Sequence, residues 1–221
     1  MKVLVVIPAF NEQASILSLV EEVTGYGYDY LVMNDCSTDN TRAILEENDL
    51  SYLDLPINLG LAGVTQAGFK YAKDFDYDCV ICIDGDGQHL PSYMNTLIKE
   101  IENGADYVIG SRFVDKKKPI SLRMLGSRFL CLLIKLKTGK RVTDPTSGMR
   151  ALGKNVILEF SDSMNFYAEP DALCHLIHED YRIKEVQVEM KEREGGVSYF
   201  NNPLKTIYFM IAVSLSIIFI Q

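Results

Sequence analysis

Short apolar runs alternate with longer amphipathic stretches along the first half of the chain. The apolar runs predict buried strands at residues 2–7, 28–33, 52–55, 79–83 and 107–109. Apolar residues at helical spacing predict helices at about 12–23, 38–48, 62–72 and 91–103. Strands that alternate with helices form βαβ units, so the pattern predicts an α/β fold: a mostly parallel sheet flanked by helices.

The pattern changes after Ser111. We expect an apolar and basic helix at 119–138, a turn at 143–148, a helix at 171–178 and a strand at 183–190. Residues 206–221 carry no charge but are fewer than the roughly 20 that span a bilayer. This predicts one domain over 1–200, followed at 201–221 by a C-terminal apolar helix. That helix is expected to associate with a membrane, to begin a truncated transmembrane segment, or to dock on another subunit.

Charge is distributed unevenly along the chain. The net charge of -8 argues against general nucleic-acid binding. Residues 112–154 nevertheless hold twelve Lys or Arg against two acids, a local charge of +10. Such a segment indicates an anionic partner or a solvated helix face, and composition does not separate the two.

The five cysteines do not form a disulfide or zinc framework in the sequence pattern. Cys79 and Cys82 are three apart within an apolar strand, so their thiols are expected on opposite faces of the sheet. An odd count with no shared metal site favours a reducing cytoplasm.

Two carboxylates flank a glycine at the end of the fourth predicted strand. Asp84 and Asp86 can share one hard divalent cation, magnesium or manganese, and Gln88 can add a neutral oxygen. Such a cation offsets negative charge on a diphosphate leaving group. An acidic turn after a strand is the simpler alternative. Ligands bind beyond the carboxyl ends of parallel strands, which is where this pair is expected.

Further polar residues fall at the same sheet edge or in the basic segment. Asp35 is suited to bind a nucleotide hydroxyl or to cap a helix. The cations suited to phosphate oxygens are Arg112, Arg123 and Arg193, and Ser127 lies one helical turn after Arg123. The acid–base candidates are Asp144 and Glu169.

The ordered set of motifs resembles a known family. Residues 5–12 (VVIPAFNE), 34–39 (NDCSTD) and 84–91 (DGDGQHLP) resemble family 2 glycosyltransferases of the GT-A, Rossmann-like fold. Residues 110–112 (GSR), 144–150 (DPTSGMR) and 193–198 (REGGVS) are similar to the polyprenyl-phosphate sugar transferase branch, which includes dolichyl-phosphate mannose synthases. Residues 167–171 (YAEPD) are instead similar to small bacterial surface-polysaccharide transferases, which leaves the donor sugar open.

The resemblance implies a role for each matching position. The residues expected to bind the nucleotide donor are Pro8, Ala9, Glu12, Asp35, Asp84 and Arg193. Those expected to hold Mg²⁺ or Mn²⁺ are Asp84, Asp86 and Gln88. Those expected to bind an acceptor phosphate are Arg112, Arg123 and Ser127. Residues 34–36 (NDC) replace the commoner Asp-Asp-Gly, so contacts with the base are less defined.

The expected function is inverting, metal-dependent transfer of a sugar from a nucleotide-diphosphate-sugar to a lipid-linked acceptor, foremost undecaprenyl phosphate, at the cytoplasmic face of the membrane. Asp144 is expected to orient the acceptor site or Arg150. The main alternative is transfer to a saccharide hydroxyl, with Asp144 or Glu169 as general base. A nucleotidyltransferase or a silent nucleotide-sugar-binding subunit is a more distant alternative. The membrane surface, a small membrane protein and a homo-oligomer are the expected partners besides the substrates.

Overall fold

The centre of the molecule is a single sheet. The structure is a computed structural model that describes residues 1–162, 169–192 and 203–220. The strands are β1 (Val3–Ala9), β2 (Asp29–Asn34), β3 (Tyr52–Asp54), β4 (Cys79–Cys82), β5 (Tyr107–Ser111), β6 (Arg150–Gly153) and β7 (Ile183–Gln187). Their order is β3-β2-β1-β4-β6-β5-β7. All neighbours pair in parallel except β6, which is antiparallel to β4 and β5.

Helices cover both faces of this sheet. They are α1 (Ile16–Thr24), α2 (Thr41–Glu47), α3 (Gly60–Asp74), α4 (Met94–Glu102), α5 (Leu122–Thr138), α6 (Lys154–Asp162), α7 (Glu169–His178) and α8 (Pro203–Phe219). The predicted α/β class and mostly parallel sheet are therefore confirmed.

Several predicted boundaries are wrong, for local reasons. The first helix begins at Ile16 rather than residue 12, because Asn11 has a φ of 58° and the chain turns there. The helix expected at 91–103 is a 3₁₀ turn followed by α4. The strand expected at 183–190 ends at Gln187, although Met190 still bridges His89. The pattern also missed β6 and α6, since β6 is four residues long and contains no β-branched residue.

Two hydrophobic clusters lie on the two faces of the sheet. Cys79 belongs to one and Cys82 to the other, so the prediction that the thiols face opposite ways is confirmed. Burial raises the pKa of each thiol to about 12, which keeps both protonated and inert.

The C-terminal helix α8 packs against α5 and α7. Val213 and Ile217 are buried, and the Ser216 hydroxyl donates a 2.7 Å hydrogen bond to the buried carboxylate of Asp171. The outer sides of α5 and α8 remain apolar and exposed, and we call them the α5–α8 apolar face. Its residues are Leu122, Leu125, Phe129, Leu132, Leu136, Ile207, Tyr208, Ile211, Leu215, Ile218 and Phe219. None of the helices in the described ranges is both long and apolar enough to cross a membrane.

Candidate active site

Several of the predicted polar residues lie at one edge of the sheet, where the parallel strands end. The loops there are joined by backbone hydrogen bonds: the Asp35 amide donates to the Ala9 carbonyl over 2.9 Å, and the Gly85 amide donates to Pro8 over 3.0 Å. A Cβ at Gly85 would lie 2.8 Å from the Pro8 oxygen, so this approach requires glycine. The structure thus brings Pro8, Ala9 and Asp35 beside the aspartate pair.

Asp84 and Asp86 come just after β4, with Ile83 between its last residue and Asp84. The Asp84 side chain is about one-third exposed (37%), whereas Asp86 is buried and accepts a hydrogen bond from the Gln88 amide over 3.0 Å. A Cβ built on Gly148 would lie 2.2 Å from Asp84 Oδ2, so the missing side chain leaves the space that this carboxylate occupies. Two hard oxygen donors in such a cradle fit Mg²⁺ or Mn²⁺. Within the described residues, no group of three or more His, Cys, Asp or Glu forms a complete metal site.

The buried His89 side chain holds the loop that carries Asp84 and Asp86. Its Nδ1 accepts a 3.1 Å hydrogen bond from the Asp84 amide, and the ring is fully buried. Burial lowers the pKa of His89 to about 4, so the imidazole is neutral at pH 7 and acts as a positioning group.

Gln88, the third expected metal ligand, forms hydrogen bonds with Lys191. Its side-chain Nε2 donates to the backbone carbonyl of Lys191 over 3.4 Å, and its backbone carbonyl accepts from the backbone amide of Lys191 over 2.9 Å. These bonds tie the aspartate loop to the chain after β7. Arg193, expected to contact the diphosphate, lies outside the described residues.

Arg112, at the end of β5, is held by a buried carboxylate. Its Nε and Nη2 donate to Asp144 Oδ2 and Oδ1 over 2.6 and 2.8 Å, and its amide adds a 3.1 Å bond. Asp144 is fully buried, while 18% of the Arg112 side chain is exposed. Glu185 on β7 accepts from the Thr143 and Asp144 amides, which fixes the loop that carries Asp144. This geometry fixes the orientation of Arg112, and a role of Asp144 at an acceptor site remains a prediction.

Arg150 has a different partner from the one expected. Its Nη2 donates to Glu169 Oε1 over 2.7 Å, and its Nη1 donates to the Tyr107 hydroxyl over 3.3 Å. The expectation that Asp144 orients Arg150 is therefore wrong, since Asp144 binds Arg112 instead. Both acid–base candidates thus have an arginine as partner.

Asp35 caps a helix, although not the one beside it in sequence. Its two carboxylate oxygens accept from the amides of Leu59 and Gly60, at 2.7 and 2.9 Å, at the start of α3. Because the carboxylate is buried, this role explains its position without a nucleotide. Glu12 lies nearby, and its amide donates to the Thr41 hydroxyl over 2.9 Å. Nucleotide binding by Asp35 and Glu12 remains a prediction.

The residues expected on one face of α5 differ in exposure. Arg123 is exposed, whereas Ser127 is buried and accepts a 2.7 Å hydrogen bond from Lys118 Nζ. Sequence reasoning missed Lys118 because it stands in a run of three lysines that carries no signal to tell them apart. It also missed Glu185 and Gly148, whose importance depends on contacts distant in sequence.

Comparison with known proteins decides the family. A model of glycosyl transferase family 2 matches residues 4–160. The chain belongs to this family. The match confirms the enzyme class, a glycosyltransferase, that the sequence motifs predict.

Relatives of this glycosyltransferase span most of its length. Undecaprenyl-phosphate mannosyltransferase from Micrococcus luteus is 31% identical over 215 residues, which cover 90% of this chain and 87% of the relative. Polyprenol monophosphomannose synthase from Mycolicibacterium smegmatis is 29% identical over 213 residues, which cover 89% and 80%.

A solved structure with a similar fold is glucosyl-3-phosphoglycerate synthase from Mycobacterium tuberculosis, crystallised with Mn²⁺, UDP-glucose and phosphoglyceric acid. Its TM-score is 0.76 at 19% identity, covering 98% of this chain and 79% of that one. This similarity confirms the predicted GT-A fold.

Proposed function

We propose that this glycosyltransferase moves a sugar from a nucleotide-diphosphate-sugar to a polyprenyl phosphate, foremost undecaprenyl phosphate, with inversion at the anomeric carbon. The names of the Micrococcus and Mycolicibacterium relatives support a polyprenyl-phosphate acceptor. The observation that carries the proposal is that Asp144 and Glu169 each bind an arginine. A phosphate acceptor is already anionic near neutral pH, so it needs no carboxylate to remove a proton.

In this proposal the reaction is a single displacement. An oxygen of the acceptor phosphate attacks the anomeric carbon of the sugar, and the bond from that carbon to the nucleoside diphosphate breaks, with the electron pair leaving on the diphosphate. Arg112, oriented by Asp144, binds the acceptor phosphate and aligns its oxygen. Arg193 is expected to contact the leaving diphosphate.

Asp84 and Asp86 are the proposed holders of Mg²⁺ or Mn²⁺, with Gln88 as a further candidate. The ion supplies positive charge that offsets the charge developing on the leaving diphosphate. Pro8, Ala9, Glu12 and Asp35 are proposed to line the nucleotide pocket. The other residues of the site would align the two substrates and would not accept a misaligned acceptor.

Transfer to a saccharide hydroxyl is the second candidate function. It is favoured by the likeness of residues 167–171 to surface-polysaccharide transferases. A hydroxyl acceptor would require Glu169 or Asp144, each paired with an arginine, to act as base.

An acceptor panel tests the proposal. We expect radiolabelled sugar to move from a nucleotide-sugar, chosen by a thermal-shift screen with Mn²⁺, to farnesyl phosphate and undecaprenyl phosphate. Transfer should stop when EDTA removes divalent cations and return when Mn²⁺ is added. Labelling of a lipid-linked saccharide in place of the bare phosphates would contradict the proposal and favour the second candidate.

The α5–α8 apolar face is the proposed contact with the membrane surface. Arg128 and Lys135 flank its α5 side, and the segment 112–154 carries a charge of +10. Apolar side chains beside cations suit the interface of an anionic bilayer. This placement would bring the acceptor site, which lies next to α5, to the surface that holds the lipid. The C-terminal segment from 201 would then help to attach the 1–200 domain.

Phe129→Glu is expected to weaken binding to vesicles that contain anionic lipid by at least about tenfold, since burying a phenylalanine contributes about 1.5–3 kcal/mol. Phe75→Glu is the matched control, because Phe75 is similarly exposed (54% against 49%) but lies at the end of α3, away from α5 and α8. Co-flotation with vesicles measures the binding. Equal retention of both variants on the vesicles would exclude this face as the contact.

A further inference from the structure

Lys118 lies in the loop between β5 and α5, half-buried, with its ammonium turned toward the helix. Its Nζ is 2.7 Å from Ser127 Oγ and 3.2 Å from Cys131 Sγ. Its own carbonyl accepts a 2.7 Å hydrogen bond from Arg128, which fixes the loop against α5. The ammonium is therefore held in one place by contacts from two turns of the helix.

The partners of this ammonium are neutral. Burial raises the pKa of the Cys131 thiol despite the nearby lysine, so the sulfur stays protonated. No carboxylate of the described residues forms an ion pair with Lys118, whereas Lys116 in the same loop pairs with Glu189 over 2.6 Å. A cation withdrawn from water beside neutral groups loses hydration that a ligand anion can replace.

The Lys118 ammonium and the Arg112 guanidinium are both close to the ring of Phe113. Lys118 Nζ and the Arg112 guanidinium carbon lie 5.3 and 5.2 Å from the centre of the same ring, that of Phe113. Since an ammonium only donates, Ser127 Oγ accepts from Lys118 and its own hydroxyl proton can be directed to a ligand oxygen. Two cations near one aromatic ring, with a hydroxyl group beside one of them, are the kinds of group that bind a phosphate monoester.

We propose that Lys118 is a further substrate-binding residue of this enzyme, which grips the phosphate of the acceptor together with Arg112 and Ser127. The inference rests on the proposed polyprenyl-phosphate acceptor and adds to it a cation from the loop before α5. In this arrangement Lys118 neutralises acceptor charge that Arg112, already shared with Asp144, only partly offsets.

The test compares Lys118→Met with Lys117→Met, since Lys117 is the exposed neighbour and the two variants lose the same charge. Binding of farnesyl phosphate is measured by calorimetry, and transfer kinetics give KM and kcat. We expect Lys118→Met to weaken binding and raise the acceptor KM by about tenfold or more, with donor affinity and Tm near those of Lys117→Met. Lys118→Arg should recover part of the loss.

Three results would overturn the inference. Lys118→Met binding farnesyl phosphate as tightly as Lys117→Met is one, and absence of any binding by the unaltered enzyme is another. The third is a fall in Tm and kcat with an unchanged acceptor affinity, which marks a purely structural lysine. Tight binding that depends on Lys118 without transfer from any nucleotide-sugar would support the phosphate site and contradict the proposed function alone.

Discussion

Replacing Asp144 with asparagine is expected to lower sugar transfer by about 100-fold. In the proposed reaction Arg112 binds the acceptor phosphate, and without its carboxylate partner the guanidinium would no longer keep that phosphate aligned to within about 1 Å. Asp144 is fully buried and binds Arg112 through two side-chain hydrogen bonds and one backbone bond. Removing one charge of such a pair also costs about 3 kcal/mol of folding stability. Transfer assays and thermal unfolding measure the two effects separately.

A double variant separates activity from folding. Arg112→Gln with Asp144→Asn leaves no unpaired buried charge, so its Tm should recover toward the unaltered enzyme while transfer stays low. Asp115→Asn is the control, since Asp115 is the other acid of the basic segment and is exposed. Donor binding should survive in all three variants. An Asp144→Asn enzyme with full activity would show that Arg112 needs no such support.

Gly148→Ala is expected to lower transfer by about 100-fold and to raise the Mn²⁺ concentration needed for half-maximal rate. The added methyl would lie 2.2 Å from one carboxylate oxygen of Asp84 and 2.8 Å from the other, so the carboxylate must move. Overpacking of this kind lowers the free energy of unfolding by about 1–3 kcal/mol, and most domains are stable enough to remain folded after such a loss. A manganese titration of the transfer rate is the measurement.

Gly126→Ala serves as the control for the added methyl group. A Cβ there would lie 3.4 Å from the Met210 sulfur, an ordinary contact, and alanine favours the helix α5. Its manganese dependence should match that of the unaltered enzyme. If Gly148→Ala also retains the original manganese dependence, Asp84 is not a metal ligand in this enzyme.

The sequence was sufficient for the parallel part of the sheet and for the aspartate pair at its edge. Apolar runs that are buried on both faces predict strands such as β1 and β4. Asp84 comes just after β4. An apolar run is a local pattern, so polar motifs that follow such a run can be located before any contact is known.

What the sequence did not reveal depends on partners far along the chain. Asp144 binds Arg112 across 32 positions, and Glu185 supports it from 41 positions away. Nothing local distinguishes an aspartate that holds Arg112 from one that holds Arg150. The role of Gly148 likewise exists only because Asp84 lies against it, and Lys118 differs from Lys117 only in what its ammonium touches.

The antiparallel strand β6 sets the distance between the ends of β4 and β5. It lies between β4, which ends at the aspartate pair, and β5, which ends at Arg112. Two strand spacings of about 4.8 Å put those ends roughly 10 Å apart. In the proposed reaction the sugar ring occupies that gap. The spacing of the strands then sets the distance between the leaving diphosphate and the acceptor phosphate.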